Sequence, residues 1–445
     1  MSPRRTLTLT FLLYGLSSVS LRAGDTIATS QPRHPPEVEA LLTQVQQAVI
    51  RYFDEFGHPL SGLAREGTGH GPDVCAVGAT GMGLFNLMVG VERGFLTRAQ
   101  AARRIRQMLR FLATKADRFH GAFPHWLNGR TGKVIPFSPN DDGADLVETA
   151  YLAQALLAVR EYFSADDSVE TELRRLTEKM WREIEWDFFV KEKGPDAYLL
   201  WHWSPRVEWR MNHPVRGFNE CQITYLLALA SPTHAVPAKC YWQGWQGRDY
   251  AREREHYGVH VSLGRGLEMP LFFVHYSYLG FDPRAISFEG KTYFEHFRDL
   301  CRVQVQYARV KSGTFAGYGP LWGLTACFGP DGYKAFAPGG GDDGTLAPTA
   351  ALSSMPYVPH ESLSCLLELD QRYRARLWGG YGFADSFNLS RAWVSKAWLG
   401  IDVGPIAPMI ENYRTGLCWR VFMKAPEIEP VLRLLREPQP GPKPS

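Results

Sequence analysis

The stretch Asp141-Asp142-Gly143-Ala144-Asp145-Leu146-Val147-Glu148-Thr149-Ala150-Tyr151 decides how this chain is read. From Ala144 onward the apolar positions Leu146, Val147, Ala150, Tyr151, Ala153, Leu156, Leu157 and Val159 recur at helical spacing, with few charges between them. A helix apolar nearly all round has to be buried inside a layer, whereas one with a polar side lies outside it. The segment from Arg98 to Leu112 is of the second kind, with arginines along one face and Ala101, Ile105, Leu109 and Leu112 along the other. This contrast repeats along the chain. Charged amphipathic segments near 36–57, 97–117, 168–189, 245–256, 291–311 and 361–377 precede segments poor in charge near 74–93, 143–163, 218–231, 267–280, 319–329 and 404–418. Six outer and six inner helices predict an all-α fold, an (α/α)6 barrel with long loops and small hairpins at one end. One such hairpin is predicted around Asn128-Gly129.

The ends and the composition bound the rest. Arg4 and Arg5 followed by an apolar run from Leu7 to Leu21 read as a signal peptide over 1–23, so export to the periplasm or beyond is expected. A linker over 24–35, one catalytic domain over 36–436 and a disordered Pro-rich tail over 437–445 complete the expected organisation. No later run is long enough for a membrane span, and the chain is expected to be a monomer. A net charge of +3 with 21% charged residues gives no basic field for nucleic acid. The seven cysteines are scattered without a Cys-x-x-Cys spacing, which allows one or two disulfides and argues against zinc. Serine-hydrolase, nucleotide-binding and zinc-protease motifs are absent, and no metal or other cofactor is expected.

The same opening stretch carries the chemistry. Asp145 and Glu148 stand three residues apart at a helix start and share a face; either they cap that start and favour its dipole, or they belong to a cleft of acids. If every inner helix begins at one end of the barrel, further acids converge there: Glu220, Asp342, Asp385, Asp402 and Glu411. Taken singly, each has a plain role as a turn, cap or ion-pair residue. Glycoside hydrolysis needs two carboxyl groups across one cleft, and would also account for the loop aromatics, of which Trp201, Trp203 and Tyr318 are the favoured sugar contacts.

Several motifs together resemble the glucoamylase-like domain family, whose members include bacterial endo-β-1,2-glucanases of glycoside hydrolase family 144. They are Phe218-Asn219-Glu220, the run from Cys240 to Gly244, Pro270 to Ser277, Tyr318 to Ala326, Ile401 to Pro405, and Met409 to Gly416. The resemblance runs from about residue 40 to 436 and implies hydrolysis of a β-1,2-linked glucan with inversion. Residue by residue it matches Asp141, Asp145 and Glu148, the helix-start Glu220, and Asp402, although Val403 stands where the family is expected to carry Gln.

These readings give Glu220 as general acid and Asp402 as base, acting directly or through a relay, with Glu148 sharing that catalytic role. Asp141, Asp145, Trp201, Trp203, Arg216, Tyr318 and Asp385 are expected to bind an oligosaccharide or polysaccharide substrate, a β-glucan. Two other classes are consistent with the residues: a polysaccharide lyase using His202, His213, Tyr318 and Arg216, and a glycan-binding protein without catalysis. The abundance of acids argues against the first, because an anionic substrate would be repelled.

Overall fold

The computed structural model describes residues 34–264 and 267–436. The signal-peptide segment 1–23, most of the 24–35 linker and the 437–445 tail lie outside them. From His34 onward the chain forms one compact unit.

Fourteen α-helices occur among the described residues: α1 (Pro36–Asp54), α2 (Val77–Glu92), α3 (Arg98–Thr114), α4 (Leu146–Tyr162), α5 (Ser168–Arg182), α6 (Gln222–Ala230), α7 (Tyr293–Val310), α8 (Pro348–Ser353), α9 (Pro359–Glu368), α10 (Arg374–Leu377), α11 (Gly400–Val403), α12 (Ile406–Arg414), α13 (Leu417–Phe422) and α14 (Ile428–Arg436). No helix among them is long and apolar enough to cross a membrane. The layering follows the charge pattern. In α2 and α4 every residue from Val77 to Gly90 and from Leu146 to Val159 is buried, while α3, α5 and α7 bury one stripe each.

Local chemistry sets the helix starts. Thr97 and Gln100 form a capping box on α3, and Thr292 and Glu295 form one on α7. Asp145 caps α4 with Oδ1, which accepts from Val147 N at 3.0 Å and Glu148 N at 2.9 Å. Gly81 lets α2 and α4 meet backbone to backbone, since a Cβ there would lie 2.5 Å from the Tyr151 carbonyl oxygen.

The inner elements neighbour one another in a closed circuit. α2 packs on α4 and α12, α4 on α6, α6 on the 3-10 turn Tyr276–Tyr278, and α8 on α12. The circuit closes where His275 bonds Ser354 at 3.0 Å and Tyr357 donates to the Val274 carbonyl at 3.0 Å.

Three helix expectations are corrected. The segment 245–256 is not an outer helix: Ala251–His256 pairs antiparallel with Val259–Leu263 around Tyr257 and Gly258, both at positive φ. Its alternating charges suit a two-sided ribbon as well as a helix. The inner segment 267–280 forms two short 3-10 turns, Leu271–Val274 and Tyr276–Tyr278. The segment 319–329 is loop and strand, because Pro320 and the positive φ of Gly319 and Gly323 break any helix, and α8 takes the inner place. The hairpin near Asn128 forms, with Trp126–Asn128 paired to Val134–Ile135. All seven cysteines are buried and free.

Candidate active site

The start of α4 is anchored before it is catalytic. Ala144 and Asp145 pair with Trp203 and His202 in a short antiparallel ladder, which brings three aromatic or imidazole side chains around the capping carboxylate. Trp201 Nε1 donates to Asp145 Oδ1 at 2.9 Å, and His125 Nδ1 to Asp145 Oδ2 at 3.0 Å. Burial would raise Asp145, but the His125 hydrogen bond and the His202 and His125 charges hold it below the usual carboxylate range. Asp141, 4% exposed, places Oδ1 3.5 Å from His202 Nδ1. His125, Asp141 and Asp145 each bring one atom within 4.8 Å of the others, a spacing that a cation could bridge. Here the Asp145 oxygens are instead engaged by two backbone amides, an indole and an imidazole.

One turn into α4 the wall of a cavity begins. This cavity of about 500 Å³ is lined by Glu148 and Glu220, by His125, Trp126 and Phe137 from the loop before α4, and by Trp201. Phe272 and Tyr276 close one side and the hairpin residues Phe328, Tyr333 and Lys334 another, with Glu66, His70, Leu399 and Ile401 completing it. Carboxyls set among aromatic rings in a concave pocket suit a sugar, whose hydroxyls need polar partners and whose C–H faces need flat apolar ones.

The two glutamates are held differently. Glu148 Oε2 accepts from Gly78 N at 2.7 Å in the first turn of α2, where a Cβ on residue 78 would lie 2.4 Å from that oxygen and force it to move. Burial pushes Glu148 up to about 7; the Asp145 charge adds to the rise, while His125 and the Gly78 amide oppose it. Glu220 stands two residues before α6 rather than in its first turn. Its backbone carbonyl is fixed by the Ser277 hydroxyl and, at 3.4 Å, by Tyr151 OH. Burial pushes its carboxyl up to about 7, opposed by a hydrogen bond from its own backbone amide and supported by the Asp145 charge.

Asp402 and Asp385 form a second pair, off the cavity wall. Asp402 is 1% exposed in α11 and accepts from Tyr276 OH at 3.3 Å; Asp385 is 3% exposed and accepts from Phe328 N at 3.0 Å. Burial raises both, and their mutual interaction raises Asp402 further, with Asp385 reaching about 6. Asp385 Oδ1 and Asp402 Oδ2 lack any other hydrogen-bond donor, so a proton shared between the carboxyls satisfies both. Asp402 is therefore not placed to meet a substrate water directly, and Asp385 not placed to bind a sugar.

Three further expectations move away from the cavity. Trp203 packs against Phe119, His120 and Phe188. Arg216 pairs with Asp196 at 3.0 Å and lies over the Tyr198 ring. Tyr318, 3% exposed, donates to Asp342 Oδ1 at 2.7 Å. With Tyr318 and Arg216 committed to these contacts, the tyrosine and the positive charge of the lyase reading are not at the cavity. Glu66, His70, His125, Tyr151, Tyr276, Tyr333 and Lys334 line it without having been singled out in the sequence. His125 stood one residue from Trp126 in a stretch read only as a hairpin.

Comparisons with known proteins give the family of the chain. A family model named Glycoamylase and described as "putative glucoamylase" matches residues 212–426. A crystal structure from Bacteroides uniformis with that same description shares 43% identity and a TM-score of 0.86, covering 91% of this chain and 98% of that one. An endo-β-1,2-glucanase from Chitinophaga pinensis, solved with sophorotriose and glucose, shares 40% identity and a TM-score of 0.85 over 89% of this chain and 98% of that one. An exo β-1,2-glucooligosaccharide sophorohydrolase acting at the non-reducing end, from Parabacteroides distasonis, is 39% identical over 428 residues. That match takes in 92% of this chain and 59% of the relative, so the chain spans about three-fifths of that curated relative's length.

Proposed function

Since this chain belongs to the glucoamylase-like family, we propose that it is a glycoside hydrolase cleaving β-glucan, in particular β-1,2-linked glucan, by an inverting general acid/base mechanism. The observation that carries this reading is the pair Glu148 and Glu220 on the wall of one aromatic-lined cavity, both with raised carboxyl pKa values. The relatives that act on β-1,2-glucan supply the linkage. The (α/α)6 layout, with two inner places taken by short turns or a short helix, is the scaffold we propose for it, working as an exported monomer.

Glu220 is the acid. Its neutral form is favoured by burial and by the Asp145 charge, so it carries the proton that the leaving glycosidic oxygen needs. Glu148 is the base by position: it lines the cavity, and the Gly78 amide holds one oxygen while the other is left to take a proton from water. The water oxygen bonds to the anomeric carbon as the glycosidic C–O bond breaks. Its proton passes to Glu148 and the Glu220 proton goes to the departing sugar. For an inverting enzyme the two carboxyls should stand roughly 6.5–9.5 Å apart. A second reading keeps Asp402 as base through a relay, supported by Tyr276, which lines the cavity and hydrogen-bonds Asp402.

The test is incubation with linear and cyclic β-1,2-glucans and other β-glucans, following reducing ends and, by proton NMR, the first anomer released. Reducing ends from β-1,2-glucan with the α-anomer appearing first are expected; release of the β-anomer first would overturn inversion, and no release from any β-glucan would overturn the hydrolase.

A further inference from the structure

Both cavity carboxyls are buried enough to favour their neutral forms, yet the reaction needs one of them ionised. The cation that favours the carboxylate form of one of them, Glu148, is His125. Its ring is fixed on three sides: Nδ1 donates to Asp145 Oδ2 at 3.0 Å, Phe137 packs on it with centroids 4.1 Å apart, and Trp126 meets it edge-on at 5.8 Å. Asp145 is itself held by α4 amides and by Trp201, so the imidazole orientation is determined by the fold. Nε2 has no protein partner among the described residues, and the ring lines the cavity.

The charges facing this ring come from three directions. Glu148 belongs to α4 and Asp145 caps it, Asp141 precedes both, and Glu66 lies in the loop before α2; His70 and His202 are the neighbouring imidazoles. Burial opposes the imidazolium, but the Glu148 charge, the Asp145 hydrogen bond and charge, and the Glu66 charge outweigh it and push His125 up to about 10. In return, the His125 charge is the largest influence drawing Glu148 back down. No comparable cation acts on Glu220. The two carboxyls reach about the same value, and of the two only Glu148 does so with a cation holding it down.

We propose that His125 is a positioning residue for the reaction: an imidazolium, locked through Nδ1 to Asp145, that stabilises the carboxylate form of Glu148 and presents Nε2–H to a sugar hydroxyl. This rests on Glu148 being the base. Both ring nitrogens donate in the cation, so the ring can hold Asp145 and the substrate at once.

The test compares wild type with His125→Gln and His125→Lys, measuring kcat and KM for linear β-1,2-glucan across the acidic and alkaline limbs. Alongside, a 15N-histidine NMR titration of the wild-type protein without substrate uses His125→Gln to assign the signal. The expected result is a His125 signal that stays in the imidazolium form through neutral pH. The acidic limb of kcat/KM should move up by about one pH unit or more in His125→Gln, with roughly a tenfold fall below it. His125→Lys should draw the limb back toward wild type. A loss in His125→Gln that is equal at every pH, or a neutral imidazole at pH 7 in the wild type, would overturn the proposal. If the wild type hydrolyses no β-1,2-glucan, the functional reading fails while the NMR titration still decides the charge of His125.

Discussion

Two pairs of carboxyls lie within one side chain of each other in this molecule and have opposite relations to water. Glu148 and Glu220 stand on the cavity wall, each tied to a backbone element of its own and each poised near neutral pH. Asp385 and Asp402 lie behind Tyr276 and satisfy each other. Burial raises all four, so a perturbed carboxyl alone does not locate the chemistry. Access and individual partners do: Glu148 has the Gly78 amide and a cation opposing its proton, Glu220 has its own backbone amide but no cation, and the aspartates have mainly one another.

The largest effect should come from removing either wall carboxyl. Glu220→Gln and Glu148→Gln are each expected to lower kcat by about 10²- to 10⁴-fold while leaving the melting temperature close to wild type. Initial rates on β-1,2-glucan together with a thermal melt check this. If Glu148→Gln retained most of its activity, the two pairs would exchange roles.

Gly78→Ala sharpens the same contrast from the backbone side. A methyl group 2.4 Å from Glu148 Oε2 has to displace that carboxyl, so kcat should fall, by about ten- to a hundredfold, with KM little changed. At the exposed loop glycine Gly69, by contrast, a Cβ would meet only the Ala397 methyl, at 3.6 Å, and Gly69→Ala should be close to silent.

Asp402→Asn separates direct from relayed base catalysis. An asparagine amide can donate to Asp385 as the protonated Asp402 does, so with Glu148 as base the loss should stay within about tenfold. A loss as deep as that of Glu148→Gln would instead make the Tyr276–Asp402 contact the proton path.

How much of this was legible in the sequence depends on the range of the interactions. The fully apolar α2 and α4, and the caps at Thr97, Asp145 and Thr292, are local signals, and the helices begin where those residues put them. Glu148 and Glu220 were legible as acids beside helix starts. His125 was not, because its role comes from Asp145, twenty positions away, and from Glu66 on another loop. Trp203, Arg216 and Tyr318 carried the right chemistry in the right loops, but their partners Phe188, Asp196 and Asp342 turn them into scaffold. The ribbon at 251–263 misled for a different reason: alternating Arg and Glu satisfy both the helical and the strand period when no apolar face is demanded.

The smallest expected effect is thermodynamic and belongs to the hidden pair. Burial raises Asp385 and Asp402 above their unfolded values, and Asp385 raises Asp402 further, so the folded state binds more protons than the unfolded chain. Their contribution to stability is therefore fully present below the ordinary aspartate range and is lost as pH rises through the folded value, which for Asp385 is about 6. Asp145 works in the other direction, since its depressed pKa contributes stability that is lost on acidification. Comparing the melting temperature of wild type and of Asp385→Asn/Asp402→Asn across that window isolates the pair: wild type should lose stability relative to the double variant as pH rises from about 4 to 6. Parallel curves would mean that the aspartates do not share a proton, and Asp402 would then be ionised and available to Tyr276.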